Sequence, residues 1–284
     1  MVLESLIGPQ DAYLHPWKIV LLGIVFATVA VWLSSASGFS STGIIIVGFS
    51  SVAAAPFLQK IFDYDVFTEY ANNTPLSFIQ RNLTTLIVLA ALFFGLLVGY
   101  LFWMLYFSSS ISVQLFNTQY QELLAINPVA VGNAINTFSQ NTPLVNFQLI
   151  FFHNLQVVGL VLLLSLIYNI GSIVILSWNA SVIAAFLATV ARNTAQNTGL
   201  GLSAILSGII TAFLGILPHG TLELFAYLIM ALAGSLLSET ITYGSKKTPQ
   251  QTQTMLFDTA RLFALSIVFL AVAAMIESRV LTFN

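Results

Sequence analysis

Long apolar runs separated by short polar breaks dominate the chain, in place of the alternation expected of half-buried elements. Ile19 to Ser34 is the first run, Thr42 to Phe62 the second and Leu83 to Phe107 the third. Each is close to the roughly 20 residues a helix needs to cross a hydrocarbon core. Residues 108–146 then turn polar, rich in Ser, Asn, Gln and Thr and free of Lys and Arg. Within them Val113, Phe116, Tyr120, Leu123 and Leu124 recur at helical spacing. That spacing predicts a short helix lying in the interface with its apolar face down; an irregular loop is the alternative. Residues 147–190 are nearly uninterrupted oil, too long for one crossing and just long enough for two. Gly171 could turn the chain near the middle. Alternatively Trp178 and Asn179 end one long helix, and 180–190 folds back as a re-entrant half-helix. Gly199 to Leu217, the segment 218–240 and Met255 to Ile276 complete the set.

Composition agrees with this pattern. The chain is 58% hydrophobic and 6% charged, against roughly 25% charged in soluble domains. A net charge of −2 supplies no basic surface, which argues against a nucleic-acid partner. There is no cysteine, so disulfides and thiolate metal sites are excluded. Glu4 and Asp11 occupy the region where a signal peptide would be basic, so the first run reads as a retained span.

Lys and Arg decide between the two readings of 147–190, because cytoplasmic flanks carry them in excess. With the N-terminus inside, Lys18, Lys60 and Arg81 are inside. If 147–190 crosses twice, Arg192, Lys246, Lys247 and Arg261 fall outside and Arg279 inside, and the faces carry equal cationic charge. If it crosses once and re-enters, those four stay inside and only Arg279 is outside. The second reading is preferred. It gives an all-α polytopic membrane protein of about seven transmembrane helices plus a re-entrant half-helix and an interfacial helix. Its C-terminus is extracytoplasmic, and Lys246-Lys247 is a cytoplasmic anchor.

That topology gathers chemistry at one membrane face. His219 and Glu223, in "LPHGTLEL", sit at the outer end of their span, with Pro218 suited to the first turn of a helix. The pair is i, i+4, so it shares a face with about 6 Å of rise between its members. His153 and Glu277 reach the same outer face. A neutral histidine beside a carboxylate can be a hydrogen-bond partner, a proton relay or a metal ligand. His153, His219 and Glu223 together would make a His₂Glu zinc set with an open position, although the short HExxH signature is absent. A carboxylate at such depth is costly unless paired. Elsewhere, Gly95 to Gly99 in "GLLVG" fits a close helix–helix contact.

These residues also carry a resemblance. "LPHGTLEL" followed by "ALAGSLLSE" resembles the Pro-His-Gly-x-x-Glu element of the stage II sporulation protein M family of polytopic membrane proteins. "FFHNLQVV" resembles the Asn-bearing start of an earlier family helix, carried here by Asn154. "WNASVIAAF" resembles its Asn-Gly element, with Asn179 matching and Ala180 in place of Gly. "AAMIESRVLT" resembles its closing Ile-Glu element, with Glu277 matching. The resemblance covers roughly residues 84–284, which sets 1–83 apart as an N-terminal two-helix hairpin and cytoplasmic loop. It implies a component of the cell membrane that works with other membrane or envelope proteins.

Three functional readings follow. The first is a membrane scaffold that recruits partners, a homo-oligomer among them, with the outer cluster His153, Asn154, Asn179, His219, Glu223 and Glu277 as structure and no cofactor. The second is an intramembrane metal-dependent hydrolase with zinc at His153, His219 and Glu223. The third is a transporter or channel, against which stand the few ionisable residues in the inner half and the lack of inverted repeats.

Overall fold

A computed structural model describes residues 7–37, 41–69, 78–126, 143–167, 172–199, 201–243 and 248–283. All regular structure in them is helical. In chain order the helices are α1 (Pro9–Leu14), α2 (Pro16–Ser37), α3 (Thr42–Glu69), α4 (Phe78–Tyr106) and α5 (Ser109–Leu115). They continue with α6 (Asn117–Ile126), α7 (Pro143–Ile167), α8 (Ser172–Thr198), α9 (Leu202–Tyr243) and α10 (Pro249–Phe283). Seven of them, α2, α3, α4 and α7 to α10, are long and apolar enough to cross a membrane. Helix is the form that closes every backbone hydrogen bond within its own segment, which hydrocarbon demands.

The division of 147–240 differs from the sequence reading in two places. Residues 180–190 are not a re-entrant half-helix. They lie inside α8, a helix of 27 residues that runs through Trp178 and Asn179 without a break. The preceding helix is described as far as Ile167 and α8 from Ser172, and Gly171 lies outside the described residues. Asn179 does not end the helix because its side-chain Nδ2 donates back to the Ile175 carbonyl at 2.9 Å, within its own helix. Conversely, 199–217 and 218–240 are not two spans. They form one helix of 42 residues with Pro218 in its interior. Pro218 removes one donor, the one that would bond Leu214 O. Ending and restarting a helix would orphan several N–H and C=O groups at each terminus, and in lipid that costs more than one lost bond. The two changes offset each other, so the number of spans still places the termini at opposite ends.

Contacts fix the directions. On α2 and α4, Gly23 faces Gly95, Gly99 faces Ile24 and Ala27, and Trp103 Nε1 donates to Thr28 Oγ1 at 3.1 Å. The offset stays nearly constant, so these helices are parallel. A Cβ on Gly95 would meet the Val20 carbonyl, and one on Gly23 would lie 2.8 Å from Leu92 O. The glycines of "GLLVG" therefore permit backbone-to-backbone contact, as small residues do between membrane helices. Tyr100 of α4 meets Ser50 of α3 at 2.6 Å and Ser177 of α8 at 2.7 Å, a buried hydroxyl cluster. The α8–α9 turn places Gly199 and Gly201 at φ 66° and 57°, the left-handed region glycine tolerates. Helices α2, α4, α8 and α10 run one way, and α3, α7 and α9 the other. One end of the bundle carries Lys18 and the opposite end Arg192.

Residues 109–126 are helical, as their spacing predicts, in two short pieces meeting at Phe116. The inner face packs on protein. Thr42 Oγ1 donates to Leu115 O at 2.7 Å, Gln119 Nε2 donates to Gly43 O at 3.0 Å, and the rings of Phe116 and Tyr100 meet edge to face. Val113 and Leu124 remain exposed. At the same end the Arg192 guanidinium donates to the Met104 and Phe107 carbonyls, capping α4.

Candidate functional site: a polar junction of three helices

The second half of α9 is the centre of its neighbourhood. Every residue from 226 to 236 is buried, as expected of a helix apolar on all sides. Just before that stretch stands Glu223, partly buried, and one turn later Tyr227, buried. Their i, i+4 spacing turns both toward α7. There Asn154 Nδ2 donates to Glu223 Oε1 at 2.6 Å, and Tyr227 OH donates to Asn154 Oδ1 at 2.8 Å. Asn154 thus uses both halves of its amide on two successive turns of α9. The Glu277 carboxyl of α10 lies beside that of Glu223. Further along the same seam, Ser266 Oγ donates to Ala226 O at 2.8 Å and Phe225 lies against Phe269.

The other candidate residues go elsewhere. His153 immediately precedes Asn154, about 100° away around the helix. With Asn154 aimed at α9, His153 is turned outward into a shallow groove on α7 with Gln148, Leu149, Phe152 and Gln156. Asn179 bonds within α8. His219 is half-buried on α9, one turn before Glu223. Because the helix does not begin at Pro218, neither residue sits at a helix N-terminus, where the dipole would favour a carboxylate. Among the described residues no group of three or more His, Asp or Glu side chains could hold a metal ion. The set His153, His219 and Glu223 is not gathered, for the azimuthal reason just given.

Tyr227 is the member that sequence inspection missed. Its signal was available, since it stands four residues after Glu223, but a tyrosine in an apolar run reads as core.

Seven apolar helices joined by such buried polar junctions define a polytopic α-helical membrane protein. Within that class the chain belongs to the stage II sporulation protein M family, whose family model matches residues 18–280. The match takes in the first two spans, which the sequence reading placed in a separate hairpin. Searches of curated proteins and of solved structures returned no match.

Proposed function

We propose that the protein is an integral scaffold of the cell membrane, acting through protein contacts, with the Asn154–Glu223–Tyr227–Glu277 junction as a structural tie. The observation that carries this reading is the hydrogen-bond pattern of Asn154. The N–H₂ and the carbonyl of its amide both bond α9, and the Glu277 carboxyl of α10 lies beside Glu223. Polar groups engaged in this way join helices and are not poised toward a substrate. The family's membership supports work alongside other envelope proteins.

The distribution of cations supports an N-terminus in the cytoplasm and a C-terminus outside. Lys18, Lys60, Arg81 and Arg261 belong to one end of the bundle by helix direction, and Arg192 and Arg279 to the other; Lys246 and Lys247 stand in the sequence between α9 and α10, outside the described residues. Arg192 is offset by the carbonyls it caps, so its place at the outer end is no exception to the rule. The cysteine-free chain makes this simple to check. A cysteine at Lys246 should resist an impermeant thiol reagent in intact cells, and labelling there would reverse the orientation.

Glu223→Gln and Glu223→Leu separate the structural role from a chemical one. As a tie, the amide of Gln keeps an acceptor for Asn154 and offers a donor to Glu277. Glu223→Gln should then retain folding and recovery of partners in pull-downs, while Glu223→Leu loses stability. If Glu223→Gln folds as the parent does but abolishes function in cells, the carboxylate has a chemical role and the scaffold reading fails.

A further inference from the structure

The outward face of α7 carries polar groups where a lipid-facing helix has no use for them. Gln148, His153 and Gln156 are exposed. They line the groove with Leu149 and Phe152, and none has a hydrogen bond to a described residue. Gln156 lies near the middle of the span Leu144–Ser165. An unpaired amide at that depth costs several kcal/mol, and its side chain is too short to reach an interface. This span is also only 17% buried in its most apolar window, against 56% for the span in α4.

A second feature lies on the same face. Gly159 is three residues beyond Gln156, and a Cβ there would meet nothing within 4 Å. Gly23, Gly95, Gly99, Gly208 and Gly234 each have close neighbours that a Cβ would strike. Gly48 and Gly215 are open in the same way, so Gly159 is no signal by itself; beside the unpaired amides it leaves room for a second helix to come close. At 100° per residue, Gln148, Phe152, Gln156, Gly159 and Leu163 fall on one side of α7, and Asn154 on the opposite side.

We infer that this face of α7 is the contact between two copies of the chain, paired about a two-fold axis along the membrane normal. The chemistry selects that occupant. Two copies inserted with the same orientation pack their α7 helices in parallel, so each residue meets its own counterpart or a neighbour one turn away. A carboxylate or an ammonium would repel itself in that arrangement. An amide both donates and accepts, so Gln148 and Gln156 can each bond their symmetry mates, with His153 at the rim of the face. No charged residue occurs in α7 between Pro143 and Ile167. Leu149, Phe152, Leu160 and Leu163 supply apolar area around the polar centre. The junction at Asn154 faces the other way, so the inference does not depend on the role of Glu223.

Disulfide trapping in native membranes tests the contact, with the full chain and no background thiols. Leu149→Cys and Leu160→Cys leave the polar residues in place. On oxidation with copper phenanthroline, both should give a covalent dimer, while Val25→Cys, also exposed but on α2, should not. Adding Gln148→Leu and Gln156→Leu to Leu160→Cys should lower dimer yield about tenfold, the scale of one to two interhelical hydrogen bonds. Three outcomes overturn the inference: no dimer from either α7 cysteine, equal yield from Val25→Cys, or adducts with another protein in place of the dimer. Undiminished dimer from the Gln148→Leu/Gln156→Leu variant overturns it as well. Failure here leaves the scaffold reading to be judged by Glu223→Gln alone.

Discussion

Replacing Asn154 with leucine asks how much the three-helix junction holds. The side chains are similar in size, so the change is chiefly chemical. It deletes the 2.6 Å bond to Glu223 and the 2.8 Å bond from Tyr227. Interhelical hydrogen bonds in membrane proteins average about 0.6 kcal/mol and reach about 1.7. Two of them give roughly 1–3 kcal/mol. Tyr227 is buried, so its hydroxyl is left without a partner, at about 1–3 kcal/mol more if it cannot find another. Leucine returns part of this by burying apolar surface, so a net loss of about 2–4 kcal/mol is expected. Tyr227→Phe removes only the second bond and leaves Asn154 anchored by Glu223, so it should cost about 1 kcal/mol. Because both changes delete the same bond, their costs should not add, and the shortfall in the double variant reports the bond itself. Unfolding in mixed micelles can be followed through the four tryptophans. Two results would refute the reasoning: Asn154→Leu costing under about 0.5 kcal/mol, or strict additivity with Tyr227→Phe.

Gly95→Leu should abolish recovery of folded protein, because its Cβ would meet the Val20 carbonyl where α2 and α4 touch; Gly48→Leu, with open space around the added Cβ, should fold normally in the same assay. Arg192→Leu should lower unfolding free energy by about 1–3 kcal/mol, the range for hydrogen bonds to a charged group, and should raise amide exchange at the last turn of α4, whose carbonyls it caps. Outside the membrane, the Lys18 ammonium bonds Asp11 at 2.7 and 2.8 Å and holds its carboxyl below the ordinary aspartate value. Stability from that pair is therefore present at neutral pH and lost as pH falls from the ordinary aspartate value through the lowered one. Lys18→Met should return the Asp11 titration, read by carbon NMR, toward the ordinary value; an unchanged midpoint would remove Lys18 as the cause.

Hydropathy alone determined that this chain is a helical membrane protein and placed its first three spans. Burying or exposing some 20 consecutive apolar residues leaves no other economical structure. The glycine spacing of 95 to 99 and the helical periodicity of 109–126 were also legible, because both are local patterns. The division of 147–240 was not. Charge bias preferred a half-helix at 180–190 and the apolar runs read as two spans across 199–240, yet the chain forms α8 and a single long α9. Pro218 reads locally as a start. Only the assembled bundle decides whether one lost hydrogen bond in a continuous helix costs less than two helix ends.

The junction divides along the same line. Sequence named Asn154, Glu223 and Glu277 among its candidates, because polar residues in apolar runs stand out. It could not separate Asn154 from His153, its immediate neighbour, since depth along a helix is written in the sequence and azimuth is not. Packing against α9 set the azimuth of α7, and that turned Asn154 inward and His153 out. Tyr227 became polar in effect only once Asn154 stood opposite its hydroxyl. Asn179 found its partner within its own helix, a choice open to any asparagine in a helix, since the carbonyl four residues back can accept a second bond. Local composition sets which groups need partners, and the tertiary arrangement decides which partners are in reach.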